Sequence, residues 1–88
     1  VLTLGPWDMS LALGLDPRKL PLPEIDSVLD RALDVGRKTG VAVGAGASTP
    51  EELRELQAKG VTFIECGSDY SLLAQSARAQ LAAFDPDA

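Results

Sequence analysis

Asp8 is the residue best placed by the sequence to do chemistry. It follows an apolar run, Val1-Leu2-Thr3-Leu4, and a Gly5-Pro6 break. Such a run suits a buried parallel strand, and Gly-Pro stops it abruptly, so the carboxylate is expected on a short loop at the strand's carboxyl end. That end of a strand is where barrel enzymes gather their reacting groups. A carboxylate there can give a hard oxygen donor to a divalent cation, or it can cap the short segment over residues 9–13. The residue pattern leaves both roles open. A second candidate is Gly44-Ala45-Gly46-Ala47-Ser48-Thr49, ahead of a helix, whose free backbone N–H groups and dipole could bind phosphate. It lacks the third Gly and the Lys of the known phosphate loops, so a structural turn with a good cap is the competing reading. Glu65 is expected on a strand, facing either the helix layer or the opposite side. Asp69 and Ser10 are expected to cap helices locally, and Cys66 to be a small core residue.

Composition removes several classes of chemistry. The chain has 88 residues, no His and one Cys. A thiolate metal cluster or a Cys/His nucleophile therefore cannot be assembled from its own residues. The net charge of −5 disfavours nucleic acids and anionic membranes, which are drawn to clustered Lys and Arg. Arg18-Lys19 and Arg37-Lys38 are isolated pairs expected to be solvated. No apolar run approaches the roughly 18 residues of a membrane span. A lone Cys points to a reducing, cytoplasmic compartment.

The elements that would position these groups alternate strand and helix three times. Residues 1–4 form the first strand. Pro17, Pro21 and Pro23 then exclude a regular helix until about Glu24. Ile25, Val28, Leu29, Ala32 and Leu33 recur at three- and four-residue steps, which predicts an amphipathic helix ended by Gly40. Residues 41–43 are the second strand, stopping at Gly44. Thr49, Pro50 and Glu52 together predict a capping box and helix start, and Gly60 the end of that helix. Residues 61–66 are the third strand. A last helix carries Leu72, Leu73, Ala77, Leu81 and Phe84, and residues 85–88 are a frayed tail. Three successive βα units imply an α/β fold with parallel strands and right-handed crossovers, in a closed barrel or an open doubly wound sheet.

The run Gly5-Pro6-Trp7-Asp8-Met9-Ser10 resembles the G-P-x-D-L-S signature of the HpcH/HpaI aldolase family, the class II pyruvate-dependent aldolases, with Trp7 in the variable place and Met9 replacing Leu. The likeness continues in order through Gly36-Arg37-Lys38-Thr39-Gly40 to Gly67-Ser68-Asp69 and Leu72-Leu73. It implies a (β/α)8 TIM barrel. A closed barrel needs about 250 residues, and the chain opens at Val1 directly in a strand, so residues 1–88 are expected to be a C-terminal fragment of one barrel domain, holding its last three βα units, with strand ends near Asp8, Gly44 and Ser68 on one rim.

The resemblance further implies a metal-dependent lyase that cleaves 4-hydroxy-2-oxo acids to pyruvate and an aldehyde. Asp8 would be one ligand of Mg2+, Mn2+ or Co2+, beside a Glu that has no counterpart here. Backbone N–H groups of Trp7 and Asp8 would hold the substrate carboxylate, and Trp7 would narrow the entrance or cover the rim. Ala42 aligns where the family often has a larger apolar residue lining the aldehyde pocket. The family's His base and Arg stabiliser find no match in this chain, so no residue of it is expected to be catalytic and the fragment should be inactive alone. The implied partners are a small 2-oxo acid and further copies of the chain, joined through the last helix. The alternatives are a phosphate-ligand-binding barrel segment and a standalone interaction module whose sheet edges and apolar side chains a partner covers.

Overall fold

Ile25, Leu29, Leu33 and Gly36 fall on one side of a helix at steps of four, four and three, and all four are buried. They define the long helix of the protein, whose computed structural model describes residues 1–87. The elements in order are β1 (Leu2–Thr3), α1 (Pro6–Ala12), a 3-10 turn (Pro17–Lys19), α2 (Pro23–Thr39), β2 (Val43–Gly46), α3 (Pro50–Lys59), β3 (Phe63–Glu65) and α4 (Asp69–Phe84). The expected α/β class is thus observed, with three parallel strands in the order β1-β2-β3.

α2 carries Pro23 in its first turn with Glu24 and Asp26, and Arg37 and Lys38 in its last turn, so the charges oppose the helix dipole at both ends. Gly40 closes it in the left-handed conformation, at φ 74°. Its apolar stripe lies on the sheet. Leu4, Val43, Ala45 and Val61 complete the core with Ile25, Leu29 and Leu33, and Met9, Leu56 and Ile64 pack against it. Each fully buried Leu or Ile contributes about 1.5–3 kcal/mol. Gly36 permits the close approach of α2 and β2, because a Cβ on it would stand 2.7 Å from the Val41 carbonyl oxygen and 2.8 Å from Val43 Cγ2.

The two faces of the sheet differ. Register places Ala45 beside Ile64, and both belong to the helix-covered side. Side chains alternate along a strand, so Thr3, Gly44, Gly46, Phe63 and Glu65 lie on the other face. Thr3, Gly46, Phe63 and Glu65 are exposed there. Gly44 is buried beneath a neighbour, since a Cβ on it would meet Phe63 Cδ1 at 2.9 Å and Thr3 Oγ1 at 3.1 Å. α4 has no buried residue, and Leu72, Leu73, Leu81 and Phe84 are exposed. The radius of gyration is 15.9 Å, against about 12 Å for a compact domain of this size.

Several boundaries differ from those expected. β2 starts at Val43 rather than residue 41, and runs on through Gly44 and Gly46, where it pairs with Thr3 of β1 and with Phe63 and Glu65 of β3. β3 is confined to Phe63–Glu65; Val61 is buried in the core, and its N–H bonds the Leu56 carbonyl at 3.0 Å. Cys66 is exposed rather than a core residue. Ser68, not Asp69, caps α4, in a capping box with Ser71. Of the expected tail, Asp85 ends α4 and Ala88 lies outside the described residues.

Candidate functional site at the carboxyl rim

Pro6 does not hold Asp8 on a loop. It occupies the first turn of α1, a position where its missing N–H costs nothing, and its ring sets the helical φ. Asp8 therefore lies in the first turn of a seven-residue helix immediately beyond β1. Gly5 holds the N-cap position and no side chain bonds the turn, so Asp8 is not the cap. Its carboxylate is exposed and folds back towards Gly5, with Oδ2 3.6 Å from the position of a Cβ there. Negative charge is favoured at that end by the helix dipole. The first helical bond runs from the Met9 N–H to the Gly5 carbonyl at 2.9 Å. The N–H groups of Trp7 and Asp8 precede it, in the turn whose donors no helix carbonyl can reach. Trp7 is 54% exposed on the same turn.

Ser10 is not a cap either. It is fully buried, and its hydroxyl donates to the Pro6 carbonyl one turn back at 2.6 Å. The bond satisfies a polar group that would otherwise cost about 1–3 kcal/mol, and it braces the turn that carries Asp8.

Ala42 lies elsewhere. It precedes β2, it is exposed, and its carbonyl accepts from the Leu2 N–H at 2.8 Å, at the amino end of the sheet. It borders a hollow with Leu33, Gly36 and Val41. Asp8 follows the carboxyl end of β1, so the structure brings Trp7 and Asp8 together and leaves Ala42 at the opposite end. The reason is the later start of β2, which moves its carboxyl half from Ala42 to Gly46.

Glu65 shares the carboxyl end with Asp8. It pairs with Gly46 across β2 and β3, on the face without helices. Alternation alone could have found this, since Ile64 is the adjacent core residue. Gly67 then turns the chain at φ 73° into the Ser68 cap of α4. Among the described residues no three His, Cys, Asp or Glu side chains stand close enough to hold a metal ion. Asp8 is therefore not part of a cluster of metal-ligating side chains among the described residues.

Two backbone donors of the 44–49 segment, Ala47 and Ser48, are already engaged. Gly44 to Gly46 are strand, and the Ala47 N–H bonds the Glu65 carbonyl at 3.0 Å. The Ser48 N–H donates to Glu52 Oε2 at 2.6 Å, and the Glu52 N–H to Thr49 Oγ1 at 3.2 Å. Thr49 caps α3 as expected, whereas Glu52 reaches back to Ser48 instead of Thr49. The protein's own carboxylate thus takes the place a phosphate would need. The adjoining cleft, about 460 Å³ between α2 and α3, is lined by apolar Leu4, Ile25 and Leu56 and by Asp26, Glu52 and Glu55 against a single Lys59, so its charged lining is net acidic. That charge repels an anion.

Away from the rim, Asp16 caps the 3-10 turn by accepting from the Arg18 N–H at 3.0 Å and pairs with the Arg18 guanidinium at 2.9 Å. The side-chain bond, aided by the backbone bond, holds the Asp16 carboxyl below its ordinary range. No described helix is long and apolar enough to cross a membrane. The chain matches no known protein family, no curated protein and no solved structure.

Proposed function

We propose that the chain supplies the last three βα units of a (β/α)8 barrel in a metal-dependent lyase that cleaves 4-hydroxy-2-oxo acids to pyruvate and an aldehyde. The observation that carries this reading is the exposed carboxylate of Asp8 in the turn directly beyond β1, inside the Gly5-Pro6-Trp7-Asp8 run that resembles the aldolase signature. The sheet supports it. Three consecutive parallel strands carry their helical crossovers on one face and leave the other bare, as the interior face of a barrel would be.

Asp8 is one oxygen donor to Mg2+, Mn2+ or Co2+, and the remaining donors come from outside these residues. When bound, such an ion acts as a Lewis acid on the 2-oxo group. The N–H groups of Trp7 and Asp8 hold the substrate carboxylate, helped by the positive end of α1. Trp7 shields that contact from water. The proton-transfer base is also contributed from outside, since the chain has no His. α4 packs on a neighbouring copy through its exposed apolar residues, giving a homo-oligomer, and the protein works in a reducing cytoplasm.

The test is metal-dependent pyruvate release by the full-length protein. Asp8→Ala is expected to lower kcat/KM by a hundredfold or more and to weaken metal binding measured by calorimetry. Undiminished activity and metal affinity in that variant would remove Asp8 from the site.

A second reading, an interaction module, is favoured by the exposure of Leu73, Leu81 and Phe84 on α4. Cooperative, monomeric unfolding of the isolated 88-residue chain, with no lyase activity from any longer form, would select it over the lyase.

A further inference from the structure

We propose that the cleft between α2 and α3 binds a small organic cation, an ammonium group carried on an apolar body. Leu53 and Leu56, the apolar stripe of α3, are only half-buried, and the helix buries no residue. It therefore stands off from α2 and leaves a hollow of about 460 Å³. Small-ligand sites have volumes of roughly 300–1,000 Å³ and mostly apolar walls with a few polar groups.

The hollow has that construction. Leu22, Ile25, Asp26 and Leu29 line it from the α2 side. Glu52, Glu55, Leu56 and Lys59 line it from α3. At the helical rise each set covers about two turns, roughly 10 Å. Leu4 and Ala45 also border it, so it reaches the carboxyl ends of β1 and β2. Asp8 is not among its lining residues, and the site needs no metal.

Charge selects the occupant. Glu52 is engaged by the Ser48 N–H at 2.6 Å, and Lys59 lies 4.0 Å from Asp30. Asp26 and Glu55 are left, one on each wall, and their carboxylates enter none of the side-chain hydrogen bonds or ion pairs found among the described residues. An ammonium group offers the donors they lack, while its apolar body covers Leu22, Ile25 and Leu56. A neutral molecule leaves the two carboxylates unanswered, and an anion is repelled by them. The positive ends of α2 and α3 oppose a cation only weakly. Asp26 and Glu55 are the fourth and sixth residues of their helices, and the dipole fades beyond the first turn.

The experiment titrates the full-length protein, by calorimetry, with phenylbutylammonium and with two probes of the same body, neutral phenylbutanol and anionic phenylbutanoate. The ammonium should bind saturably and about tenfold more tightly than the alcohol, with the carboxylate weakest. Asp26→Asn combined with Glu55→Gln should abolish the advantage over the alcohol. Asp34→Asn combined with Glu51→Gln removes the same charge outside the hollow and should preserve it. All four residues are exposed, so both variants are expected to fold. Absence of saturable ammonium binding, equal affinity for the ammonium and the alcohol, or equal behaviour of the two double variants overturns the assignment. None of these results bears on Asp8 or on the lyase reading.

Discussion

α2 and α4 are almost the same length, 17 and 16 residues, and both begin on good local signals, yet one is the spine of the core and the other buries nothing. α2 has its charges arranged against the dipole and a glycine stop, and α4 has a Ser68–Ser71 capping box. The difference is in what lies opposite. Leu29 and Leu33 meet β2 and its neighbours, whereas Leu73 and Leu81 stand exposed outside the core. Local signals thus decide that a helix forms. Whether it contributes to stability depends on the surface it finds.

Substitution can break that comparison. Leu29→Ala should have the largest effect, destabilising the 88-residue chain by about 2–5 kcal/mol through lost burial and the cavity left behind. Leu73→Ala in α4 should fall within about 0.5 kcal/mol. Urea denaturation of both variants gives the answer, and equal losses would mean that α4 is packed in solution. Next in size is Gly36→Ala, which tests how closely α2 must lie on β2. With backbone 2.7 Å from the added Cβ, it should cost about 1–3 kcal/mol, despite the better helix propensity of Ala. A stabilised variant would show that α2 can move away from the sheet.

The smallest effect sharpens the contrast between core and surface. Asp16 is held below its ordinary pKa by Arg18, so its contribution is complete above the unfolded value of about 3.9. It is lost as pH falls through the lower folded value. Comparing Asp16→Asn with the unsubstituted chain between neutral pH and pH 2 should reveal a slight acid-dependent difference, lessened by salt because the pair is exposed. A stability advantage over Asp16→Asn that grows as pH falls would reverse the sign of the assignment.

Much of this architecture was legible in the sequence because it is locally encoded. The periodicity of α2, the Gly40 and Gly60 stops and the Thr49 cap of α3 all act over a turn or less of helix. α1 was hidden because Gly5-Pro6 reads as a break, while Pro6 in fact opens a helix. Non-local contacts account for the rest. Gly44 and Gly46 look like a loop until Phe63 and Thr3 are seen to leave no room for a side chain at Gly44. Pairing of β2 with β3 runs from Gly44 to Gly46, which leaves Ala42 at the opposite end of the sheet from Trp7 and Asp8 and sets Glu65 beside Gly46. The Asp8 position was readable from its place after β1. The face of Glu65 follows from alternation about Ile64, whereas its pairing with Gly46 needed the register, which no single segment contains.

Trp7 has one more consequence. It is the only tryptophan of the chain and stands 54% exposed at the rim, outside the core. Its emission therefore reports the polarity of that rim and little else. Under the lyase reading proposed above it should change when the turn around Asp8 is occupied, and it should barely register the melting of α2. Fluorescence is here a probe of the rim, while circular dichroism is the probe of fold.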